Sequence, residues 1–499
     1  MITSTVHSPY PNQIDRNRYE AIPSSRNIFI LTATPSPLNG PELSHSRDVF
    51  FRLLAYVAIL TPPAAIAFII NRYAVNVPFG DEWDTLGLVL ADRRGQLNFA
   101  QLWAQHNEHR LLMGNITEVL TARLTGYNVV ANVWLGFAFE VLALLVVWRL
   151  LVITLRGKNS VLVRPLVVYA SLLMFWTVSW SNWVWGISSY QFLSSVFWAV
   201  VVVWALAEWP GRWSGFLVAF AAAVFAICTG DSGFPLLIII PVGLIPNKRE
   251  GSKGFRAQVG LFLVLSVIFL VFFFRGWHSL YSFTEGQPLW QALLRAGEFA
   301  LAYLGSPFDT RFGWKASMPI GLLGSIWFTI CAWNIVRNDP DTGSRATPWL
   351  LLGGYGILNA SLTAYGRLHF GVQLAMSSRY TSIAITFWIG WGVVTALLVR
   401  RWARDPAYGK FVMAATTVVL VLYAVAYAIS YGKELPKIEQ DSSLRQSGKQ
   451  AVLNYRTAPN WVFQRLHPSA SHVREVAKEL EAQHIGPFAN AQPAGVTPQ

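Results

Sequence analysis

Three carboxylates stand within four positions in the stretch from Pro78 to Asp84, which reads PFGDEWD. They are Asp81, Glu82 and Asp84, and they follow shortly after the first long apolar run of the chain. Carboxylates at a water-exposed membrane boundary can act as general bases, or they can hold a divalent cation. This stretch is therefore the first candidate for a chemical site.

A second polar stretch in the same loop reads His106-Asn107-Glu108-His109-Arg110. If this stretch is helical, His106, His109 and Arg110 share one face, because side chains three and four positions apart are neighbours on a helix. Imidazole can serve as a general base or as a metal ligand. The candidate ligands for a divalent metal ion are Asp81, Glu82, His106 and His109.

The alternative for both stretches is that these are ordinary hydrated charges of a loop. Bulky apolar residues are interleaved with them, however, namely Phe79, Trp83, Leu102 and Trp103. Such side chains would hold the carboxylates against the membrane-embedded part of the protein. The pattern therefore favours an organised site over a solvated loop.

A third cluster comes late in the chain and contains Arg367, His369, Arg379 and Tyr380. An arginine at the mouth of a helix offers a rigid fork that matches a phosphate group. The alternative is a boundary arginine that extends toward lipid headgroups. The nearby Arg367 and His369 favour an anion site.

Two isolated acids are less informative. Asp231 follows an apolar run and is interpreted either as catalytic support or as a helix cap. Glu140 falls within an apolar run, where an ionisable group is costly and usually faces a partner or a cavity.

The elements that must position these residues are transmembrane helices. Of the 499 residues 53% are hydrophobic and only 13% are charged, against roughly 25% charged residues in an ordinary soluble domain. A spanning helix needs roughly 20 apolar residues. About eleven such segments are predicted, near 49–70, 129–154, 161–179, 189–208, 214–230, 234–246, 257–275, 317–336, 347–365, 380–399 and 410–431. The short run 234–246 is either a half-helix or a tilted partner of the run before it.

The charges of the chain indicate its orientation. The net charge is +13, and basic residues concentrate in short loops between apolar runs, which is typical of cytoplasmic loops rather than of nucleic-acid binding. These residues are Arg156, Lys158, Arg164, Lys248, Arg249, Lys253, Arg256, Arg337, Arg345, Arg400, Arg401 and Arg404. With these loops inside, residues 1–48 form a disordered cytoplasmic tail, and the C-terminus lies outside the cell membrane.

The outer parts of the chain then carry the candidate site. Residues 71–128 form a first outer loop long enough for two or three helices, and residues 276–316 form another. A helix along the membrane surface is predicted over 289–304, with one apolar face formed by Leu289, Leu293, Ala296, Ala300 and Leu304. Residues 432–499 form an extracytoplasmic tail with one amphipathic helix near 470–484. The two cysteines, Cys228 and Cys331, lie in apolar runs, so a disulfide framework and a cysteine-bound structural metal are excluded.

An acidic pair in a long first outer loop on a body of about eleven helices resembles the GT-C superfamily of integral membrane glycosyltransferases. The motifs FGDEWD at 79–84, HNEHR at 106–110 and SRY at 378–380 look like those of an uncharacterised bacterial branch grouped with that superfamily. The resemblance in topology covers most of 49–431. At residue level it rests on these three short motifs, and the histidine-rich stretch departs from most members of the superfamily.

The resemblance implies an all-α fold and transfer of a sugar from a polyprenyl-phosphate donor to a glycan or lipid acceptor on the extracytoplasmic side. Asp81 best matches the general base or metal contact, with Glu82 second, and Arg379 best matches the group that holds the donor phosphate. The remaining residues expected to bind substrate are Asp84, His106, Glu108, His109, Arg110, Arg367, His369 and Tyr380. A divalent metal ion is left open as a cofactor, since His106 and His109 could bind metal, bind sugar or pack the loop.

Other functions remain open. The chain has no GxxxxGK[ST] phosphate loop, no GxSxG elbow and no HExxH helix, so an ATP-driven pump, a serine hydrolase of that type and a zinc protease of that type are disfavoured. The main alternative is a transporter or flippase of lipid-linked sugars without catalysis. A transporter usually has its polar groups near the bilayer midplane, whereas most polar candidates here lie at the outer surface. A third alternative is a non-catalytic membrane subunit that binds lipid-linked glycans.

Overall fold

The computed structural model describes residues 41–157, 162–245, 252–279, 281–284, 286–308, 313–403 and 406–489. Most of them are helical and almost none lie in strands, and this confirms the predicted all-α class. The chain divides into two compact units, residues 1–52 and 53–499. In the first unit the described residues are the start of helix α1. The predicted disordered tail lies outside the described residues up to position 40, as do Lys158, Lys248, Arg249 and Arg404 of the basic loops.

Eighteen helices are labelled in chain order within the described ranges. The first nine are α1 (Pro41–Tyr73), α2 (Glu82–Arg93), α3 (Phe99–Trp103), α4 (Leu112–Thr125), α5 (Val129–Thr154), α6 (Val163–Met174), α7 (Trp180–Val184), α8 (Gly186–Glu208) and α9 (Trp213–Thr229). The others are α10 (Leu236–Leu244), α11 (Ser252–Phe274), α12 (Leu289–Gly305), α13 (Trp314–Asn338), α14 (Pro340–Arg367), α15 (Ser378–Trp402), α16 (Pro406–Leu453), α17 (Asn460–Phe463) and α18 (Ala470–Ala482).

Seven helical segments among the described residues are long and apolar enough to cross a membrane, and a multi-pass membrane protein is therefore supported. They are Val49–Tyr73, Val129–Thr154, Val163–Val184, Gly186–Glu208, Gly254–Phe274, Trp314–Asn338 and Ser378–Trp402. Two further apolar helical segments are shorter, Trp213–Thr229 and Asp231–Leu244. The predicted span 347–365 falls on α14 and the predicted span 410–431 on α16, and neither is among the seven.

The main core is formed by the long helices. Helix α5 packs along α8, α14 along α15 and α12 along α13. The first of these pairs approaches closely because α5 carries Gly136 at the crossing, where a Cβ atom would lie 2.1 Å from Ser189 Oγ. Small residues allow such close approach between membrane helices.

The segment predicted as the first outer loop folds into three short helices and a hairpin. Helices α2, α3 and α4 lie within the predicted loop 71–128, and strands β1 (Gln105–His106) and β2 (His109–Arg110) pair between α3 and α4. The helix predicted over 289–304 is also present, as α12. Its buried side includes Phe299 and Tyr303, whereas Leu289 and Leu293, which were expected on one apolar face with Leu304, are more than half exposed.

The C-terminal segment packs against this first loop. Helix α16 continues well beyond its apolar part, and α17 and α18 follow it. Apolar side chains of both segments form a second core that includes Trp83, Leu86, Phe463, Leu466 and Leu480. The predicted amphipathic helix is confirmed as α18, with Val473, Val476 and Leu480 buried. The first loop and the C-terminal segment therefore share one packed body.

Candidate functional site

A cavity of about 820 Å³ lies where the first loop meets the start of α8, the end of α14 and the start of α15. It brings together eight residues from all three predicted clusters. They are Asp81, His106, Glu108, His109, Arg367, His369, Arg379 and Tyr380. Positions 81 and 379 are far apart in the chain, so their convergence in one cavity is a property of the fold.

The turn that carries Asp81 is fixed by Gly80. The backbone of Gly80 has a φ of +58°, in the left-handed region, and a Cβ atom there would lie 3.0 Å from the Trp185 ring. Only glycine adopts this conformation at low cost. Asp81 stands at the N-cap position of α2, but its side chain forms no capping hydrogen bond. Its carboxylate is therefore available to a molecule in the cavity.

Glu82, which was predicted as a second catalytic residue, does not line the cavity. The side chain is completely buried. Its Oε2 accepts a hydrogen bond from the Phe79 amide at 2.8 Å, and its Oε1 accepts one from the Ile187 amide at 2.9 Å. Burial raises the pKa of Glu82 to about 7. Glu82 thus joins the Asp81 turn to the start of α8.

The HNEHR stretch is a hairpin and not a helix. Asn107 has a φ of +51° in the two-residue turn, a conformation that asparagine tolerates better than most residues. His106 and His109 are direct cross-strand partners, and such partners point to the same face of an antiparallel pair. Both imidazoles line the cavity. They share a face because the two strands pair, and not because they lie on one helix.

Arg110 faces away from the cavity, because successive strand residues alternate between faces. It is buried and donates hydrogen bonds of 2.8 Å to three carbonyl groups. The acceptors are Phe273, Trp103 and Arg275. Arg110, which was predicted to bind substrate, does not line the cavity and attaches the hairpin to the end of α11.

Four ionisable side chains, those of Asp231, His109, Arg367 and Glu108, form a chain along one wall of the cavity. His109 Nδ1 lies 2.5 Å from Asp231 Oδ2, and His109 Nε2 lies 2.9 Å from Arg367 Nη2. The same guanidinium nitrogen lies 3.5 Å from Glu108 Oε2. Arg367 thus has protein partners on two sides, and Asp231 supports His109 and is not a simple helix cap.

Arg379 differs from Arg367 in having no carboxylate beside it. Its guanidinium has no hydrogen-bond or ion-pair partner among the described residues, and it lies 5.5 Å from the ring centres of both Trp185 and Tyr380. The aromatic faces stabilise the cation and fix its position. The guanidinium therefore presents its donors to the cavity.

Several polar atoms at the cavity wall have no hydrogen-bond partner among the residues that the structure describes. They are His106 Nε2, Glu108 Oε1 and His369 Nε2, all buried. Buried polar atoms are nearly always hydrogen-bonded, so an unpartnered set around one cavity indicates a polar ligand or water. The His369 ring also stacks on Tyr281, with ring centres 3.8 Å apart. The wall is therefore aromatic and polar at once.

Asp84 lies outside the cavity but beside it. One ligand atom each of Asp81, Asp84 and His106 lie within 4.8 Å of one another. This carboxylate and imidazole set could hold a divalent cation. Of the four predicted metal candidates, Glu82 is buried elsewhere and His109 is engaged with Asp231, so only Asp81 and His106 remain.

The C-terminal segment supplies residues that sequence reasoning missed. His467 Nε2 lies 3.4 Å and His472 Nε2 lies 3.8 Å from Asp84 Oδ1. The amide of Gly80 donates a 2.8 Å hydrogen bond to the Leu466 carbonyl. The short spacing of His467 and His472 on either side of a helix start was the available signal, but nothing in the sequence related them to the first loop.

Comparison with known proteins gives no relative. No protein-family model matches the chain, and neither a curated protein nor a solved structure matches it. The function therefore has to be argued from the cavity itself.

Proposed function

We propose that this chain is a membrane glycosyltransferase of the GT-C type, which moves a sugar from a polyprenyl-phosphate donor to an extracytoplasmic glycan or lipid acceptor. The observation that supports the proposal most directly is that Arg379 and Asp81 line the same cavity. Arg379 is a cation without a carboxylate beside it among the described residues, and Asp81 is a carboxylate without a capping role. Glycosyl transfer from a phosphate donor needs a cation to stabilise the departing phosphate and a base to remove the proton of the acceptor hydroxyl.

The chemistry follows from these two groups. The acceptor hydroxyl oxygen attacks the anomeric carbon, and the bond from that carbon to the donor phosphate oxygen breaks. Asp81 takes the hydroxyl proton, and the Arg379 guanidinium stabilises the negative charge that develops on the departing polyprenyl phosphate. Attack opposite the leaving group inverts the anomeric carbon, and no covalent enzyme intermediate is needed.

The composition of the cavity wall supports a sugar as the transferred group. Sugars present many hydroxyl groups, which can donate to Glu108 Oε1 and can donate to or accept from His106 Nε2 and His369 Nε2. Apolar and aromatic side chains such as Phe273, Phe274 and Trp277 line another part of the cavity. This part suits the start of a prenyl chain, and a mixed wall is typical of a specific small-molecule site.

The proposed membrane arrangement has about eleven crossings in the cell membrane, with the N-terminus in the cytoplasm and the C-terminus outside. The seven long apolar helices and two shorter ones support most of these crossings. The packing of the C-terminal segment on the first loop is consistent with both lying on one side. The basic loops listed above favour the opposite side as cytoplasmic.

A transporter or flippase of lipid-linked sugars is the second candidate, and one residue favours it. Glu140 is buried within the apolar helix α5, and its Oε2 has no hydrogen-bond partner among the described residues. Such a group inside a span is costly and is often part of a transport path. Glu140 does not line the cavity, however, so it has no direct connection to Arg379 or Asp81.

One assay on proteoliposomes that contain the full-length protein distinguishes the glycosyltransferase from the flippase. A polyprenyl-phosphate donor with a radiolabelled sugar is placed in the bilayer, and membrane glycolipid or soluble glycan extracts are supplied as acceptors. The transferase proposal predicts label in a new product. Movement of intact labelled donor between leaflets, without a new product from any acceptor, would instead support the flippase.

A further inference from the structure

We propose that Arg445 is a positioning residue for both reacting groups of the cavity, Asp81 and Arg379. Arg445 lies on α16 in the C-terminal segment and does not line the cavity. It acts through the aromatic pair of Phe79 and Trp185, which connects it to both groups. This role rests on the proposed function, in which Asp81 is the base and Arg379 holds the donor phosphate.

Two arginines and two aromatic rings form a continuous row from the C-terminal segment to the cavity. The guanidinium carbon of Arg445 lies 4.1 Å from the centre of the Phe79 ring. The Phe79 ring packs edge-on against Trp185, with ring centres 5.4 Å apart. The guanidinium carbon of Arg379 in turn lies 5.5 Å from the centre of the Trp185 ring. Because an aromatic face attracts a cation within about 6 Å, the row connects the position of Arg379 to that of Arg445.

The burial of Arg445 is unusual for a cation of the C-terminal segment. Its side chain is 2% exposed, and its Nε donates a 2.6 Å hydrogen bond to Asp441 Oδ2. A guanidinium that served only solubility would lie at the surface, as Arg456 of the same segment does with 65% exposure. Burying a charge costs free energy even when the charge is paired. The buried position therefore fits a specific role beside Phe79.

Phe79 transmits this contact to the turn that carries Asp81. Its amide donates to Glu82 Oε2 at 2.8 Å, and its carbonyl accepts a 3.0 Å hydrogen bond from Trp185 Nε1. Phe79 precedes Asp81 by only two positions, so a shift of its ring and backbone also moves the carboxylate. A misplacement of about 1 Å can slow an enzyme roughly 100-fold.

The charge of Arg445 has a second effect, on Glu82. Burial raises the pKa of Glu82 to about 7, and the positive charge of Arg445 is the largest influence that opposes this rise. The negative charge of Asp81 raises the pKa further, and Glu118 is the other buried carboxyl close to Glu82. Without Arg445, Glu82 would keep its proton to higher pH. That proton would occupy an oxygen that now accepts an amide hydrogen bond, and the turn would loosen.

The test compares three variants of the full-length protein. Arg445→Met removes the charge and keeps a long unbranched side chain, whereas Arg445→Lys keeps the charge. Arg456→Met is the matched control, because Arg456 also has an acidic partner, Glu481, and an aromatic neighbour, Tyr455, but is exposed and does not line the cavity.

Two measurements are made on each variant. The first is the initial rate of transfer from the labelled polyprenyl-phosphate donor in proteoliposomes, as a function of donor concentration and pH. The second is hydrogen–deuterium exchange of the amides of Phe79 and Gly80 in detergent without substrate, which does not depend on transfer. Thermal unfolding shows whether each variant is folded.

We expect kcat to fall roughly 100-fold in Arg445→Met, with a higher KM for the donor. The pH at which the rate is half-maximal should also move upward, because Glu82 ionises later. Arg445→Lys should return this pH to the wild-type value and recover part of kcat, and Arg456→Met should match wild type. The Phe79 and Gly80 amides should exchange roughly tenfold faster in Arg445→Met. A role in the stability of the C-terminal segment alone would lower the unfolding temperature without moving the pH profile.

Phe79→Leu tests the same row if Arg445→Met does not fold, since leucine keeps an apolar side chain and removes the ring. It should also lower kcat and raise the donor KM. The role of Arg445 is overturned if folded Arg445→Met, or in its place Phe79→Leu, transfers as wild type does, or if amide exchange at positions 79 and 80 is unchanged. Absence of transfer by wild type from any donor would instead contradict the proposed function, and amide exchange would still show whether Arg445 holds the turn.

Discussion

His109 and Asp231 form a close pair at the cavity wall, with Nδ1 of the imidazole 2.5 Å from the carboxylate oxygen. The other imidazole nitrogen lies 2.9 Å from the guanidinium of Arg367. A carboxylate at Nδ1 fixes which nitrogen carries the proton. Asp231 therefore sets the orientation of His109, and His109 in turn helps to hold Arg367 at the cavity.

Changing Asp231 to Asn should lower sugar transfer without removing the fold. The amide lacks the negative charge that faces His109 Nδ1 at 2.5 Å, so His109 and Arg367 are held less firmly in position. We expect transfer to fall roughly tenfold to a hundredfold, as for other groups that orient a histidine. Initial rates of sugar transfer in proteoliposomes measure this loss of activity. Asp92→Asn, on α2 and outside the cavity, is the control, and equal rates in both variants would contradict the role of Asp231.

Changing Arg379 to Gln should weaken donor binding. If Arg379 holds the donor phosphate as proposed, the variant loses charge-assisted hydrogen bonds that contribute about 2 kcal/mol, or roughly a 30-fold change in affinity. We therefore expect a higher KM for the donor and a lower kcat, because phosphate charge also grows during the reaction. Arg93→Gln, which removes an exposed arginine of α2, should behave as wild type. An unchanged donor KM and kcat in Arg379→Gln would argue against phosphate binding there.

Changing Arg110 to Gln should reduce stability and not the chemistry. The buried guanidinium satisfies three carbonyl groups, and leaving these groups without donors should cost about 3 kcal/mol or more. The unfolding temperature in detergent should fall clearly, while transfer per folded molecule stays near wild type at low temperature. Arg94→Gln removes only an exposed ion pair with Glu479 and should cost less than about 1 kcal/mol. Similar unfolding temperatures for the two variants would contradict this interpretation of Arg110.

The stability of the first loop should depend on pH through Glu118. This side chain is fully buried, and burial followed by the nearby charge of Glu82 raises its pKa from 4.5 to about 8. Between these values the unfolded chain has released the proton and the folded chain keeps it. The free energy of unfolding therefore falls as pH rises from about 4.5 to about 8.

The variant Glu118→Gln checks this dependence. The glutamine amide oxygen can still accept from Asn132, which donates to Glu118 Oε2 at 2.8 Å, but it cannot ionise. We expect the unfolding temperature of wild type to fall more between pH 5 and pH 8 than that of the variant. Glu479→Gln, at an exposed position, should follow wild type. Parallel pH curves for wild type and Glu118→Gln would be inconsistent with a buried titrating carboxyl at this position.

The long helices could be predicted from the sequence because an apolar run of sufficient length has few alternatives in a membrane. The helix at α12 was also predicted from its periodicity, but the buried face was partly wrong. Phe299 and Tyr303 are buried while Leu289 and Leu293 remain exposed. In a membrane protein an exposed apolar side chain can face lipid, so periodicity alone does not identify the packed face.

The local errors have a different origin. His106 and His109 were expected to share a helix face, yet a two-residue turn at Asn107 makes them cross-strand partners. Glu82 was grouped with Asp81 because both are acidic, whereas one helical step turns its side chain into the protein interior. Neighbours in sequence were thus given one role although the backbone directs them to opposite sides.

The association of the C-terminal segment with Asp84 could not be predicted. His467 and Asp84 are brought together by apolar contacts such as those of Leu466 and Trp83 in the second core. A single sequence does not show which apolar surfaces pack against each other in the fold. Many polar residues that line the cavity were among the sequence candidates, but the contact of Asp84 with the C-terminal segment was not predicted.

The most direct test of the central claim compares Asp81→Asn with Asp92→Asn in proteoliposomes that contain the labelled polyprenyl-phosphate donor and an acceptor. Both variants replace one aspartate close to or within α2, and only Asp81 lines the cavity. If Asp81 accepts the hydroxyl proton, its variant should transfer sugar roughly 10² to 10⁴ times more slowly than wild type, while Asp92→Asn transfers normally. Transfer at the wild-type rate by folded Asp81→Asn would contradict the proposed mechanism.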